Sequence, residues 1–446
     1  MNKILSILAL FFISIQIAGG YELNQNRTAG SDSTSLRVER IEISGNSKTR
    51  DTVILRHLTF KPNDPIDATL IEQNYRHLVN TRFFKKVQFY TRPGSQKGLV
   101  VVEIEVTERS WPTLHVEGGY SEFDGWYLSP LTVRYDNPLG NGYNFGLVSY
   151  VGDQVSGIGL QVQGDYLFNS KYRILAEFFG RGHNYRHTFP QETWEHKVAM
   201  SGIKLDIGAH SGPLKLLTIR LQHKRVVPEK KATILETGES TAEFPAIIAR
   251  DTSAAVIGSV VLILSADTRN NSDYPTHGFW GSVSLEAANE RREKRFRYRT
   301  FIADGRFYFR PTKRHALATR FKFGLTDDET PYYERFYLGG ATSIRGFSVH
   351  SLTPVGWGTK LALMNLEYRI PLSTSGFPRH RWTGSLFVDI GGIWQNGEPV
   401  DYRDLFSAWG FGLRFRLPVL GLVRIDLGLP LTRKRGLVHL ALGHTF

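Results

Sequence analysis

No cysteine occurs anywhere in the 446 residues. Thiolate catalysis, disulfide staples and Cys-ligated zinc or iron–sulfur sites are therefore excluded. Long apolar runs are equally scarce. Past the N-terminus the longest, Ala254 to Ala266, ends at Asp267. That is about thirteen residues, against the ~20 a membrane-spanning helix needs. With a mean hydropathy of −0.24, a polytopic helical membrane protein is ruled out. A β-barrel is not, because alternating strands hide their apolar face from averages. The familiar catalytic fingerprints are missing too: no His-Glu-x-x-His, no Gly-x-x-x-x-Gly-Lys-Ser/Thr loop and no Gly-x-Ser-x-Gly elbow. Gly140-x-Gly142 opens a strand rather than a helix, so it is no dinucleotide fingerprint. His183, His187 and His196 are spaced as metal ligands can be, but they fall in a polar connection. The expectation is no enzyme, no cofactor and no metal.

What is plentiful favours sheet: 43 Gly, 28 Phe, 19 Tyr and 8 Trp. Lysine and arginine (55) outnumber aspartate and glutamate (42), a formal +13. Such an excess fits nucleic acid, an anionic membrane surface or a basic pore. The N-terminus chooses among them. Met1-Asn2-Lys3, an apolar run from Ile4 to Ile17 and the small residues Ala18-Gly19-Gly20 make a secretory signal peptide over 1–20. Export argues against nucleic acid. It turns the basic aromatic stretch Arg291 to Phe309 into a strand with a charged loop.

Residues 21–36 are polar and read as a linker. A compact α/β module is expected over 37–108, in the order β-α-α-β-β. Val38, Ile41 and Ile43 mark its first strand. Thr49 is placed to cap a short helix and Asp67 a second one, with Leu70, Ile71, Tyr75 and Leu78 at helical spacing. Val87 and Phe89, then Val100, Val102, Ile104 and Val106, mark the two closing strands. From 109 to 446 there is no convincing helix. Roughly sixteen segments alternate apolar and polar residues between turn signals. Ile158, Leu160 and Val162 oppose Gln161 and Gln163. Phe411, Leu413 and Phe415 oppose Arg414 and Arg416, and Val423, Ile425 and Leu427 oppose Arg424 and Asp426. Charges of both signs on the polar face, and a length beyond one sandwich, predict an all-β transmembrane barrel of about 16 antiparallel strands with a wet lumen. Trp126, Tyr127, Tyr166, Phe168, Trp394 and Trp409 are candidates for interfacial girdles.

Several motifs resemble one family. Ile41, Ile43, Gly45, Asn46 and Thr49, then Thr81-Arg82-Phe83-Phe84 and Val87, resemble a POTRA domain. Asp267-Thr268-Arg269-Asn270 with Tyr274-Pro275-Thr276-His277-Gly278 resembles a strand-turn motif of the BamA/TamA outer-membrane assembly superfamily, the bacterial surface antigen family. Phe336-Tyr337-Leu338-Gly339-Gly340 followed by Ser343-Ile344-Arg345-Gly346-Phe347 resembles its lumenal-loop signature. Asn365 to Pro371, Phe387-Val388-Asp389-Ile390-Gly391 and the terminal Leu442 to Phe446 follow in the family's order. A single POTRA-like module, Ile344 in the loop motif, His277 and His444 depart from the commoner pattern.

The resemblance implies a bacterial outer-membrane location with the POTRA domain in the periplasm. It implies that the connection from Thr326 to Gly358 enters the lumen, where Arg345 meets Asp389 on the inner wall beside Phe387 and Gly391. Glu367 is a second carboxylate on the same face. Phe446 would carry the terminal-strand signal. The implied activity is insertion or translocation of other proteins, by POTRA capture and strand exchange at a barrel seam between the strands near Trp111–Tyr120 and Gly436–Phe446. Implied partners are unfolded outer-membrane or secreted proteins, outer-membrane lipid and accessory lipoproteins, around a monomeric barrel. A transporter dedicated to one exported protein, a passive porin and an enzyme on a barrel remain as alternatives.

Overall fold

The computed structural model describes residues 36–109, 112–121, 125–152, 154–166, 170, 172–210, 215–271, 274–312, 314–372, 382–417, 421–432 and 435–442. The signal-peptide reading, residues 21–35, Trp111, Phe168, His444 and Phe446 lie outside the described residues, as do the side chains of Trp126 and Tyr127.

The N-terminal module has strand β1 (Arg37–Ser44), helix α1 (Asp51–Leu55), helix α2 (Ala68–Asn80) and strands β2 (Phe84–Pro93) and β3 (Leu99–Glu108). Its sheet has the order β1-β3-β2, with β1 parallel to β3 and β2 antiparallel to it. The alternating residues of β3 and the apolar stripe of α2 meet in one core around Val38, Ile54, Leu78, Val102 and Ile104. Asp67 caps α2 by accepting from the Leu70 N–H at 2.7 Å. Thr49 does not cap α1, whose N-cap position is Arg50. Thr49 is drawn away by other partners: its N–H donates to Glu108, and its hydroxyl accepts from Asn137 at 2.9 Å.

The remainder is a closed barrel. Sixteen long strands form its wall in chain order. The first seven are β4 (Thr113–Ser121), β5 (Gly125–Asp136), β6 (Tyr143–Gly152), β7 (Val155–Gly164), β8 (Tyr172–Thr188), β9 (Thr193–His210) and β10 (Lys215–Pro228). Two short strands, β11 (Ala232–Ile234) and β12 (Ser240–Thr241), form a hairpin in the next connection, which also holds helix α3 (Ala246–Ala249). That hairpin is an outgrowth of the wall, because β10 pairs directly with β13 (Ala255–Asp267) from Lys215↔Ala266 to Val226↔Ala255. The wall continues through β14 (Gly278–Glu290), β15 (Arg297–Phe309), β16 (Ala316–Thr326), β17 (Lys360–Pro371), β18 (Trp382–Trp394), β19 (Phe406–Leu417), β20 (Gly421–Pro430) and β21 (Leu437–Leu442). It closes with β21 beside β4.

Alternation sets the two faces. Ile158, Leu160, Phe178, Leu285, Leu386 and Phe411 are each at least 50% exposed on the outside, while Glu177, Glu290, Asp389 and Arg414, on β8, β14, β18 and β19, are buried within. Only lipid makes that inside-out arrangement favourable. No described helix is long and apolar enough to cross a membrane. At 17 and 18 residues, β8 and β9 exceed the ~9–11 residues a crossing requires, so their hairpin projects beyond the membrane.

Two of the expected girdle residues are engaged elsewhere. Trp394 is buried, and its indole N–H donates to Asp404 at 3.3 Å. Tyr166 follows β7 and packs edge-on against His57 of the N-terminal module, ring centroids 5.1 Å apart. Trp409 does face outward, 47% exposed.

Candidate functional site

The connection between β16 and β17 folds back into the barrel. Three glycines with positive φ make the path: Gly339 (104°), Gly340 (108°) and Gly346 (90°). Ser343 and Gly340 close a tight turn, with the Ser343 N–H on the Gly340 carbonyl at 3.0 Å and the Gly340 N–H on the Ile344 carbonyl at 3.2 Å. That turn presents Arg345 to the wall.

Arg345 is fully buried. Its Nε and Nη2 donate to the two oxygens of Asp389 on β18 at 2.8 and 2.9 Å, a bidentate fork. Its backbone N–H also donates to Asp389, at 3.0 Å. Nη1 donates to Glu367 on β17 at 2.9 Å and lies 3.5 Å from Asp426 on β20. The guanidinium carbon stands 3.4 Å from the Phe387 ring centroid, so the ring supplies a cation–π face where no carboxylate reaches. The motif residues thus meet at one place. Ile344 sits over Gly391, where a Cβ would come 3.2 Å from its Cδ1. Phe347 packs edge-on against Phe406, centroids 6.0 Å apart.

The cluster extends beyond those motifs. Arg369 donates to Glu367 at 2.8 Å, Arg414 reaches Glu367 at 2.6 Å and Asp426 at 3.1 Å, and Arg424 donates to Asp426 at 3.1 Å. Arg414 also bonds the Ser385 hydroxyl. Four buried guanidiniums therefore surround three buried carboxylates. Part of the excess positive charge falls on the loop, where Arg424 donates to the Ala341 carbonyl at 2.9 Å. The Gly346 N–H donates to His439 Nε2 on β21 at 2.8 Å, which carries the contact to the last strand. Gly346 lies back to back with Gly428 of β20, whose Cβ, if it had one, would sit 2.2 Å from the Gly346 nitrogen. Alternation puts Arg414, Arg424 and Asp426 on the polar face, which is the signal that marks them. His439 and Gly428 belong to no motif the sequence offered.

A second anchor holds the outer part of the loop. Tyr332 and Tyr333 are buried with Trp357 among Tyr185, Val198, Ile257 and Tyr298. The Tyr332 hydroxyl meets His196 Nδ1 at 2.8 Å, and the Tyr332 N–H donates to Asp251 at 2.9 Å. Trp357 Nε1 donates to the Arg186 carbonyl at 3.3 Å. His196 is thereby a packing partner of the loop. Among the described residues no group of three His, Asp or Glu side chains is arranged to hold a metal ion.

The N-terminal module docks at the opposite end. The Arg50 N–H donates to the Gly140 carbonyl at 3.1 Å, and Arg56 donates to the Asn141 carbonyl at 3.1 Å, both in the β5–β6 turn. The Arg56 guanidinium also lies 4.9 Å from the Tyr166 ring in the β7–β8 turn.

A POTRA-type module docked on a sixteen-stranded barrel, with a folded-in loop bound through a buried arginine, defines a class of membrane protein. Family comparison agrees. Residues 137–446 match the Omp85 superfamily domain, and residues 36–109 match the POTRA model, a surface antigen variable number repeat. The chain belongs to the Omp85 superfamily. It is 24% identical over 428 residues to the outer membrane protein assembly factor BamA of Nitratidesulfovibrio vulgaris, covering 89% of this chain and 49% of that protein. It is 24% identical over 388 residues to BamA of Neisseria meningitidis serogroup B, covering 82% and 47%. The chain thus spans about half the length of these curated relatives. In fold it is similar to BamA from Haemophilus ducreyi lacking POTRA domains 1–3 (TM-score 0.69, 16% identity, 91% of this chain and 83% of that one). It is similar also to CdiB from Escherichia coli (TM-score 0.60, 15% identity, 92% and 77%).

Proposed function

We propose that this protein sits in a bacterial outer membrane with its POTRA domain in the periplasm, and there inserts or translocates other proteins. The observation that carries the reading is the Arg345 cluster. It fixes the loop to β17, β18 and β20, and through His439 to β21, the strand at the seam. The other side of the seam begins at β4, and the POTRA domain is docked on the turns just beyond it. Each side of the closure is thus held by its own device, which suits a seam that parts while both sides keep their shape. Unfolded outer-membrane or secreted proteins would be captured as an added strand on the POTRA sheet and passed to the seam. No cofactor is required, and accessory lipoproteins would dock on the periplasmic side of a monomeric barrel. A lumen occupied by a folded loop counts against a passive porin.

The absence of cysteine supplies a clean test. Paired cysteines introduced across β4 and β21 are to be oxidised in the host. Client insertion should stop on oxidation and return on reduction. Full activity in the locked state would rule out the lateral route. Depletion followed by outer-membrane proteomics then separates the two assembly readings. A broad fall in barrel proteins indicates general insertion, and loss of one exported protein indicates a dedicated transporter.

A further inference from the structure

The β14–β15 turn carries a cationic run to which the proposed function assigns no role. From Arg291 to Arg299 six residues are Lys or Arg (291, 292, 294, 295, 297 and 299), with Glu293 the single acid. The pleat sorts them. Phe296, Tyr298 and Thr300 are buried toward the interior, so Arg297 and Arg299 stand exposed on the membrane face of β15. On that same face follow Phe301, Ala303, Phe307 and Phe309, the last 55% exposed. The two arginines therefore sit at the upper edge of the apolar band. Arg299 is paired across the sheet with Ala287, which in turn faces Val260, so its neighbours in that row are apolar.

Other cations join them. The Arg291 side chain lies across Gly258, where a Cβ would come 2.4 Å from its Nε. Arg225 is exposed on β10 opposite Val256 of β13, whose carbonyl accepts from the Arg291 N–H at 2.7 Å, so Arg225 shares a row with Arg291. Arg295 is paired with Glu293 at 3.0 Å. The nearby acids Asp327 and Glu329 accept from the backbone N–H groups of Arg299 (2.8 Å) and Arg297 (3.0 Å), and neither forms an ion pair with these side chains. The rim is left net positive. It lies at the end of the barrel away from the POTRA domain, because β14 runs from the POTRA end toward this turn.

An arginine at the boundary of lipid and water keeps its stem on the apolar surface and its fork in the headgroup layer. That fork matches two oxygens of a phosphate. We propose that Arg297, Arg299, Arg291 and Arg225 form a binding surface for phosphate-bearing lipid headgroups in the leaflet opposite the POTRA domain. The inference rests on the membrane orientation given above and not on the insertion activity.

The test uses the full chain in zwitterionic detergent, titrated with diphosphoryl lipid A and read by native mass spectrometry. Wild type should retain the diphosphoryl lipid, and the Arg297→Gln/Arg299→Gln variant should retain it about thirtyfold less well. Arg76→Gln, on the POTRA surface, should match wild type. The dephosphorylated lipid should bind wild type no better than the diphosphoryl lipid binds the double variant. Heat-modifiable gel mobility checks that each barrel is folded, and the single variant Arg297→Gln, with a smaller loss, covers the case in which the double one is not. Equal retention of both lipids, equal retention by the double variant, or displacement by millimolar inorganic phosphate would each overturn the proposal. Because client insertion is not measured, failure here leaves the proposed function standing.

Discussion

Arg345 owes its position to carboxylates on three different strands, and it is the central tie of the loop's tip to the wall. Burying that many charges is costly unless each has a partner, and removing one partner leaves the others exposed to that cost. Arg345→Ala should therefore destabilise the barrel by about 3–5 kcal/mol, read as a lower urea midpoint for loss of the heat-modifiable form. Arg345→Lys should fall between, since an ammonium cannot fork onto Asp389. A variant as stable as wild type would mean that water has entered and solvated the carboxylates. Gly428→Ala tests the same contact from the wall. Its Cβ would collide with the Gly346 nitrogen at 2.2 Å, whereas at Gly182 the nearest atom is 3.6 Å away. Gly428→Ala should lift the loop and make it cleavable by added protease, while Gly182→Ala should not. The sequence named Arg345, Asp389, Glu367 and Phe387 because they fall in contiguous motifs. It could not name Gly428 or His439, because each acts through a backbone atom of a residue more than eighty positions away in the chain.

Elements show a similar division. The barrel strands are legible because alternation with a lipid outside and charges inside leaves a period-2 pattern, and α2 because Asp67 and a helical stripe announce it. The docking of the POTRA domain is not legible, since part of it runs through main-chain carbonyls of Gly140 and Asn141 and the rest through pairs distant in the chain, Thr49–Asn137, Arg56–Tyr166 and His57–Tyr166, which no local pattern encodes. Thr49 illustrates the point: as a sequence it is a helix cap, and in the fold it joins Glu108 to Asn137. His57 offers a reading of this junction. Burial, followed by the neighbouring Arg56 charge, pushes its pKa down to about 4. A histidine depressed below its unfolded value of 6.5 favours the neutral ring in the folded state. Its contribution is complete above the unfolded pKa and is lost as pH falls through about 4. Wild type should therefore lose more thermal stability between pH 7 and pH 4 than His57→Phe, which keeps the ring against Tyr166 and cannot be protonated. Parallel pH profiles would show that the junction opens freely to water.

At the scale of the whole molecule, one loop bridges the lumen. Its outer part is packed in the aromatic cluster on β8–β10 and β13–β15, and its tip is held in the ion cluster on β17–β21. The two anchors differ in physics. The aromatic one is held mainly by ring packing, with the Lys224–Glu334 pair beside it, and the ionic one is fully buried, so screening by salt reaches it only if water does. The loop should therefore stay in place across ordinary ionic strengths, and the lumen should conduct little. Deleting Thr342 to Ser348 removes the ionic anchor and leaves the aromatic one intact. In planar bilayers this variant should show severalfold higher conductance than wild type, with the β-sheet content by circular dichroism unchanged. Arg345→Ala should show brief openings between those limits, because the tip is still present and is no longer tied. If the deletion conducts no more than wild type, the closure lies outside the loop, and the POTRA domain docked across the β5–β6 and β7–β8 turns becomes the barrier to test next.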